Sequence, residues 1–309
     1  QVAYKCLLSR AVDKLEEERL LKEKKILYQF SARGHELGQV LLGQLLDHRH
    51  DAASGYYRSR PFMLSLGLAL EDAIAGPMMR SGSFSDGRDI GVVYNMPGHE
   101  AATVLPMSGG VGAQYTPVAG WAQSILYHRD TLQDESWRGA LAVALGGDAS
   151  VATNGFWSAL TIATTLQLPM LFFIEDNGYG ISVTSDMQTP GRNIAANLES
   201  FSGLAIFDGD GTEARDAANA IASAIGQIRA GGGPALVRLT VPRLCGHSGQ
   251  DTQAYKSEEQ IAAERARDPL PKLRRFLVPN SLTATEWRDL ENRANADVEG
   301  ALESALARP

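Results

Sequence analysis

The stretch from Gly139 to Tyr179 constrains the fold more than any other part of the chain. Two short apolar runs, residues 139–145 and 169–174, flank residues 154–166, which have the length and composition of one helix. Apolar runs that short, without polar alternation, are what strands covered on both faces look like, and a helix between two of them is the crossover of a parallel pair. The loops after the two strands, Gly146-Gly147-Asp148-Ala149-Ser150 and Glu175-Asp176-Asn177-Gly178-Tyr179, then open at one carboxyl edge, where ligands bind in such sheets. The alternation resumes with a strand near 204–207, a helix over 213–230, a Gly231-Gly232-Gly233-Pro234 turn and a strand over 235–240. The pattern predicts an α/β chain, a mostly parallel sheet with helices on both faces.

Around this centre the chain reads as helical. Residues 8–28 carry leucines at helical spacing through Asp13-Lys14-Leu15-Glu16-Glu17-Glu18-Arg19, whose charges are expected to form a solvated face. A second helix is expected over 31–46, a loop leading into a helix over 52–65, a surface loop over 81–98 and a glycine-opened helix over 108–122. Proline-punctuated amphipathic helices fill 257–309. Residues 1–309 read as one domain, with 1–50 and 257–309 as helical extensions of it.

Composition works mainly by exclusion. A net charge of −7 with no basic face argues against nucleic acid. No apolar stretch approaches the ~20 residues of a membrane helix, so no membrane partner is expected. Gln1-Val2-Ala3-Tyr4-Lys5 lacks the apolar core of a signal peptide, and Cys6 and Cys245 read as free thiols in a reducing compartment. The expected location is cytoplasmic, or the mitochondrial matrix in a eukaryote.

The two strand-end loops carry the chemistry. Magnesium prefers an octahedron of oxygens and takes only part of it from protein. Asp148 offers a carboxylate, Asn177 an amide oxygen and Tyr179 its carbonyl, while Gly147 and Gly178 let the backbone approach a diphosphate. Helix N-terminal amides near 151–154 add anion stabilisation. The residues alone leave a second reading open, two strand-end turns with capping Asp and Asn. Gly109-x-x-Gly112 lacks the rest of a dinucleotide fingerprint, and Asp208-Gly209-Asp210-Gly211 lacks the spacing of a calcium loop.

The pair of loops resembles the thiamine-diphosphate motif, Gly-Asp-Gly, a spacer of similar length, then Asn-Asn, with Ala149 and Asp176 as departures. Across nearly its whole length the chain is similar to the α subunit of the decarboxylating component of 2-oxo acid dehydrogenases. The matching segments, in the family's order, begin with Gly34-His35-Glu36 with Gln39, Gly55-Tyr56-Tyr57-Arg58 and Tyr94-Asn95-Met96-Pro97-Gly98-His99. They continue with Gly109-Gly110-Val111-Gly112-Ala113-Gln114 and Arg243-Leu244-Cys245-Gly246-His247-Ser248, then Asp251, Tyr255-Lys256, Glu258-Glu259 and Asp268-Pro269. Further departures are Cys245 for a histidine, Thr153 for a glutamate, and a segment 249–254 shorter than in branched-chain members. Glu175 matches pyruvate-type members, and Ser248, which resembles a phosphorylation site of mitochondrial relatives, is read as structural.

The resemblance implies a three-layer thiamine-diphosphate-binding fold. In it Tyr57 and Arg58 grip the diphosphate, Gly109 and Val111 lie along the aminopyrimidine, and Gly147, Asp148, Ala149, Ser150, Asn177, Tyr179, Ile181 and His247 complete the cofactor site. Magnesium falls to Asp148, Asn177 and Tyr179. His247 and His99 take catalytic roles, His247 positioning or protonating the lipoyl group and His99 facing the substrate. His35 and His128 are read as structural, His48 and His50 as solvated. The implied reaction is oxidative decarboxylation of a 2-oxo acid with reductive acylation of lipoyl on an acyltransferase component. Met96-Pro97-Gly98-His99 leans to branched-chain acids and Val111-Gly112-Ala113-Gln114 to pyruvate, with branched-chain preferred. The family's carboxylate for the aminopyrimidine comes from a β subunit and has no match here, so a β partner is expected, as an α2β2 heterotetramer or a fused β part. The rival expectations are an acetoin-cleaving dehydrogenase α subunit and a non-catalytic regulatory subunit of the same fold.

Overall fold

The computed structural model describes residues 1–82, 84–88, 96–98 and 102–309. His99 lies outside the described residues, as do Tyr94 and Asn95. In chain order the elements begin with α1 (Val2–Leu15), α2 (Glu36–Leu45), β1 (Ala52–Ser54), α3 (Arg60–Ser65), α4 (Leu70–Ala75), β2 (Thr103–Val104) and α5 (Tyr115–Leu126). Next come β3 (Ala142–Gly147), α6 (Asn154–Leu166), β4 (Met170–Asp176), the hairpin β5 (Tyr179–Gly180) and β6 (Val183–Thr184), and α7 (Ile194–Asn197). The chain continues through β7 (Ala205–Asp210), α8 (Ala214–Arg229), β8 (Ala235–Thr240), α9 (Glu258–Ala266), α10 (Pro269–Leu277) and α11 (Ala284–Ala307).

Six strands form one parallel sheet in the order β2-β1-β3-β4-β8-β7. The period of two splits each central strand between two cores. Val143, Leu145, Leu171, Phe173 and Val237 point to one side, where Leu42 of α2, Phe62 of α3 and Ile221 of α8 cover them. Ala142, Ala144, Met170, Phe172 and Ile174 point to the other, under Val118 of α5, Phe156 and Leu160 of α6 and Ile194 of α7. The result is the expected three-layer α/β arrangement. A third core joins α1, α4, α10 and α11 to the outer side of α2 through Leu37 and Val40. No helix among the described residues is long and apolar enough to cross a membrane.

Several local expectations need correction. The segment read as a loop before a helix holds β1, whose three residues are completely buried, and β2 and the β5–β6 hairpin have only two residues per strand. The first helix starts at Val2, not near residue 8, and passes through a π turn, Glu16–Leu20, before ending well short of residue 28. The second starts at Glu36, because Gly34 just before it has φ +100 and its missing side chain leaves room for the Pro242 carbonyl. The charged run is not wholly solvated. Asp13 and Glu16 are buried and paired at 2.7 Å with Arg60, and Asp13 also accepts from the Ala32 amide at 2.9 Å. His50 is not simply solvated either. It stacks on Trp137 at 4.0 Å, and His128 stacks on the same ring at 4.2 Å.

Candidate functional site

The chain leaves β1 towards β2 on one side while β3 lies on the other, which makes the β1–β3 boundary a switch point, the usual place for a ligand crevice. A cavity of about 660 Å³ lies there, lined by loops following β1, β2, β3, β4 and β8. Tyr57, Arg58, Gly109, Val111, Gly147, Asp148, Ala149, Ser150, Asn177, Tyr179, Ile181 and His247 all line it. Residues up to 190 positions apart in sequence therefore converge because each follows a strand of one parallel sheet.

At the floor lie Asp148 and Asn177. Asp148 Oδ1 accepts from the Asn177 amide at 3.4 Å, while Oδ2 is buried and has no hydrogen-bond partner. Burial, with Asp176 nearby, raises this carboxyl to about 7. A buried carboxylate oxygen without a donor is costly unless a cation meets it. Asn177 Oδ1 accepts from the Tyr179 amide at 3.1 Å. Carboxylate, amide oxygen and carbonyl form a hard oxygen set suited to magnesium rather than to zinc. Among the described residues no group of three or more His, Cys, Asp or Glu side chains is placed to hold a metal ion. The glycines fit a bound cofactor too. A Cβ on Gly109 or Gly178 would meet no protein atom within 4 Å, so these positions face open space rather than packed neighbours.

Two cationic groups line the same cavity. Arg58 is buried, donating from Nη1 to the Ser31 carbonyl and from Nη2 to the His247 carbonyl at 3.1 Å. These bonds fix the guanidinium while leaving further N–H groups in its fork. Arg243, buried as well, donates to the Ile181 carbonyl at 2.9 Å and to the Tyr255 hydroxyl. Its guanidinium lies 5.4 Å from the Tyr179 ring, a cation–π distance. Burial and the charges of Arg58 and Arg243 depress His247 to about 4, so its imidazole is neutral at physiological pH. Asp251 accepts from the His247 backbone amide at 2.6 Å and from the Tyr255 hydroxyl at 2.6 Å.

The departures from the family pattern have local causes. Ala149 sits where a third glycine is usual, and Gly180 makes the room, since a Cβ there would lie 2.8 Å from that of Ala149. Asp176 is bound by Arg238 at 2.8 Å and accepts from the Gly178 amide at 3.0 Å, so it shapes the turn rather than facing a metal. Thr153 caps α6, accepting from the Phe156 amide, and lies where a Cβ on Gly112 would strike it. Cys245 is largely buried with its thiol pushed up by that burial, 4.0 Å from the Ser31 carbonyl.

Four groups at or beside the cavity carry no assigned site role in the sequence reading. Arg243 lines the cavity, whereas its sequence motif alone gives it no contact there. Tyr28 and Phe30 form an aromatic wall with Tyr57 and His247, Phe30 lying 4.4 Å from Tyr57 and 5.5 Å from His247. Glu175, buried behind Asp148's strand neighbour Gly147, accepts from Gln39 at 2.7 Å and Tyr56 at 2.9 Å, and burial lifts it to about 8. His35, read as structural, is buried with Nε2 3.2 Å from Asn177 Nδ2, and burial together with Arg58 and Arg243 holds its pKa far below the usual range.

The chain is 24% identical to the pyruvate dehydrogenase E1 component subunit alpha of Porphyra purpurea over 278 residues, covering 89% of this chain and 79% of that one. It is 27% identical to the mitochondrial E1 alpha subunit of Dictyostelium discoideum, covering 82% of this chain and 64% of that one. Identity to the Staphylococcus aureus (strain Mu50) E1 alpha subunit is also 27%, over 88% of this chain and 68% of that one. The family model described as dehydrogenase E1 component matches residues 5–309, and the chain belongs to that family.

Proposed function

We propose that this chain is the half-site of a thiamine-diphosphate-dependent 2-oxo acid dehydrogenase, binding the cofactor with magnesium and acting beside a β subunit. The observation that carries the proposal is the buried, unpartnered Oδ2 of Asp148, set next to Asn177 at the floor of a glycine-rimmed cavity. Asp148, Asn177 and the Tyr179 carbonyl would hold the metal, and Arg58 and the neutral His247 the diphosphate oxygens. Val111 and Ile181, both exposed into the cavity, offer apolar contact to the cofactor rings. Thiamine diphosphate supplies the electron sink that lets a 2-oxo acid lose carbon dioxide. His247 serves the lipoyl-transfer step as a hydrogen-bonding group, and His99 is assigned to the substrate side. The names of the relatives shift the proposed substrate from the branched-chain acids suggested by Met96-Pro97-Gly98-His99 to pyruvate, with a lipoyl-bearing acyltransferase component as acceptor.

The test is calorimetry of thiamine diphosphate with magnesium, on the chain alone and co-expressed with its β partner. Binding that requires the partner and disappears in Asp148→Ala supports the half-site. Absence of binding in both forms overturns it and leaves a non-catalytic member of the fold. Turnover on pyruvate, branched-chain 2-oxo acids and acetoin then ranks the substrates.

A further inference from the structure

We infer that His35 is a positioning residue for the metal site, fixing the rotation of the Asn177 side chain so that its oxygen, not its nitrogen, faces the cation. This rests on Asn177 and Asp148 being metal ligands.

An asparagine amide has two nearly isosteric ends, and only the oxygen can coordinate a metal. Which end faces the cavity is therefore set by what the other end is bound to. Here the oxygen accepts from the Tyr179 amide at 3.1 Å, and the nitrogen lies 3.2 Å from His35 Nε2. With Nδ2 as the donor, Nε2 is the acceptor and the imidazole proton sits on Nδ1. Rotating the amide by half a turn would place an oxygen lone pair against the Nε2 lone pair and an N–H₂ against the Tyr179 N–H. The contact with the Tyr179 N–H is repulsive in either imidazole tautomer and the one with Nε2 in the Nδ1–H tautomer, so the two bonds together select one rotamer.

The imidazole itself cannot swing away. His35 is buried completely, and its amide donates to the Ala32 carbonyl at 2.9 Å. Gly34 is pressed against the Pro242 carbonyl in a left-handed conformation open to glycine. The Gly34 amide donates to Glu36 at 2.7 Å, Glu36 binds Arg10 at 2.6 Å, and Arg10 forms a two-pronged pair with Asp268 at 2.9 and 3.0 Å. The Gly34-His35-Glu36 and Asp268-Pro269 motifs thus form one brace, running from the C-terminal helices to the floor of the cavity.

The test measures Mn²⁺ as a paramagnetic stand-in for magnesium, by electron paramagnetic resonance, on the chain co-expressed with its β partner and saturated with thiamine diphosphate. His35→Leu keeps a similar volume but has no acceptor, and should weaken Mn²⁺ binding by about 10- to 100-fold. His35→Gln supplies an acceptor oxygen and should restore most of the affinity. In an Asn177→Asp background either rotation presents an oxygen, so His35→Leu should cost far less there, a non-additivity that simple packing does not produce. Unchanged Mn²⁺ affinity in His35→Leu, or equal losses with Leu and Gln, overturns the positioning role. Failure of the unmodified complex to bind Mn²⁺, with no difference from Asp148→Ala, instead overturns the metal site on which it rests.

Discussion

Neutralising Asp148 should make the metal-free chain more stable, by an amount that grows with pH. Burial beside Asp176 moves this carboxyl from 3.8 to about 7. A carboxyl raised in the folded state contributes stability that is complete below 3.8 and is lost as pH rises through about 7. At about 1.4 kcal/mol per pH unit, that change bounds the effect at ~4 kcal/mol. Asp148→Asn keeps an oxygen for the Asn177 amide but introduces buried N–H donors, whose unmet bonds cost about 1–3 kcal/mol. That cost does not depend on pH, so the informative quantity is the slope. Between about pH 5 and 7 the stability of Asp148→Asn relative to the unmodified chain should improve by roughly 2–3 kcal/mol, then level off. Urea denaturation in chelator, repeated across this range, measures it. Adding magnesium and thiamine diphosphate to the complex with β should reverse the order, because only the unmodified site gains ligand-binding stabilisation. Parallel stability curves from about pH 5 to 8 would refute the reasoning, since they would mean the carboxylate is hydrated rather than stranded.

Two further outcomes follow from groups outside that floor. Arg60→Met, leaving Asp13 and Glu16 buried without their partner at 2.7 Å, should lower stability by about 3–5 kcal/mol in urea denaturation at neutral pH, and a loss below about 1 kcal/mol would show that water reaches the pair. His247 should titrate near about 4 rather than 6.5 in an NMR pH series, its stabilising contribution being present above 6.5 and declining as pH falls towards 4. A midpoint near 6.5 would remove the reading of a neutral imidazole at the cavity.

Legibility in the sequence followed burial and chain proximity. Strands β3, β4 and β8 are readable because both of their faces are covered, leaving short apolar runs such as residues 170–174. Strand β1 is just as buried, but Ala52, Ala53 and Ser54 are too small and too few to stand out from a loop, and its identity comes from pairing with β2 and β3. The charged run in the first helix misled for a related reason. Helical periodicity separates apolar from charged positions, yet Asp13 and Glu16 are buried by an arginine some 44–47 positions away that no local pattern announces.

The same distinction separates the cavity residues that the sequence makes legible from the groups whose contacts it does not. Asp148 and Asn177 immediately follow recognisable strands and Tyr179 lies two residues beyond Asn177, so chain connectivity alone brings all three to the sheet edge. His35 meets Asn177 across 142 positions, and Arg243 meets the Ile181 carbonyl across 62. Their motif membership signalled importance without revealing a partner. Residues that touch a ligand need only be delivered to the sheet edge, whereas residues that orient those ligand groups must be delivered to one another. The fold does the second through the Glu36–Arg10–Asp268 brace and the Gly34–Pro242 contact. A variant weakening the brace, far from the cavity, should therefore act on metal affinity through the geometry of His35, not through any direct contact with the metal.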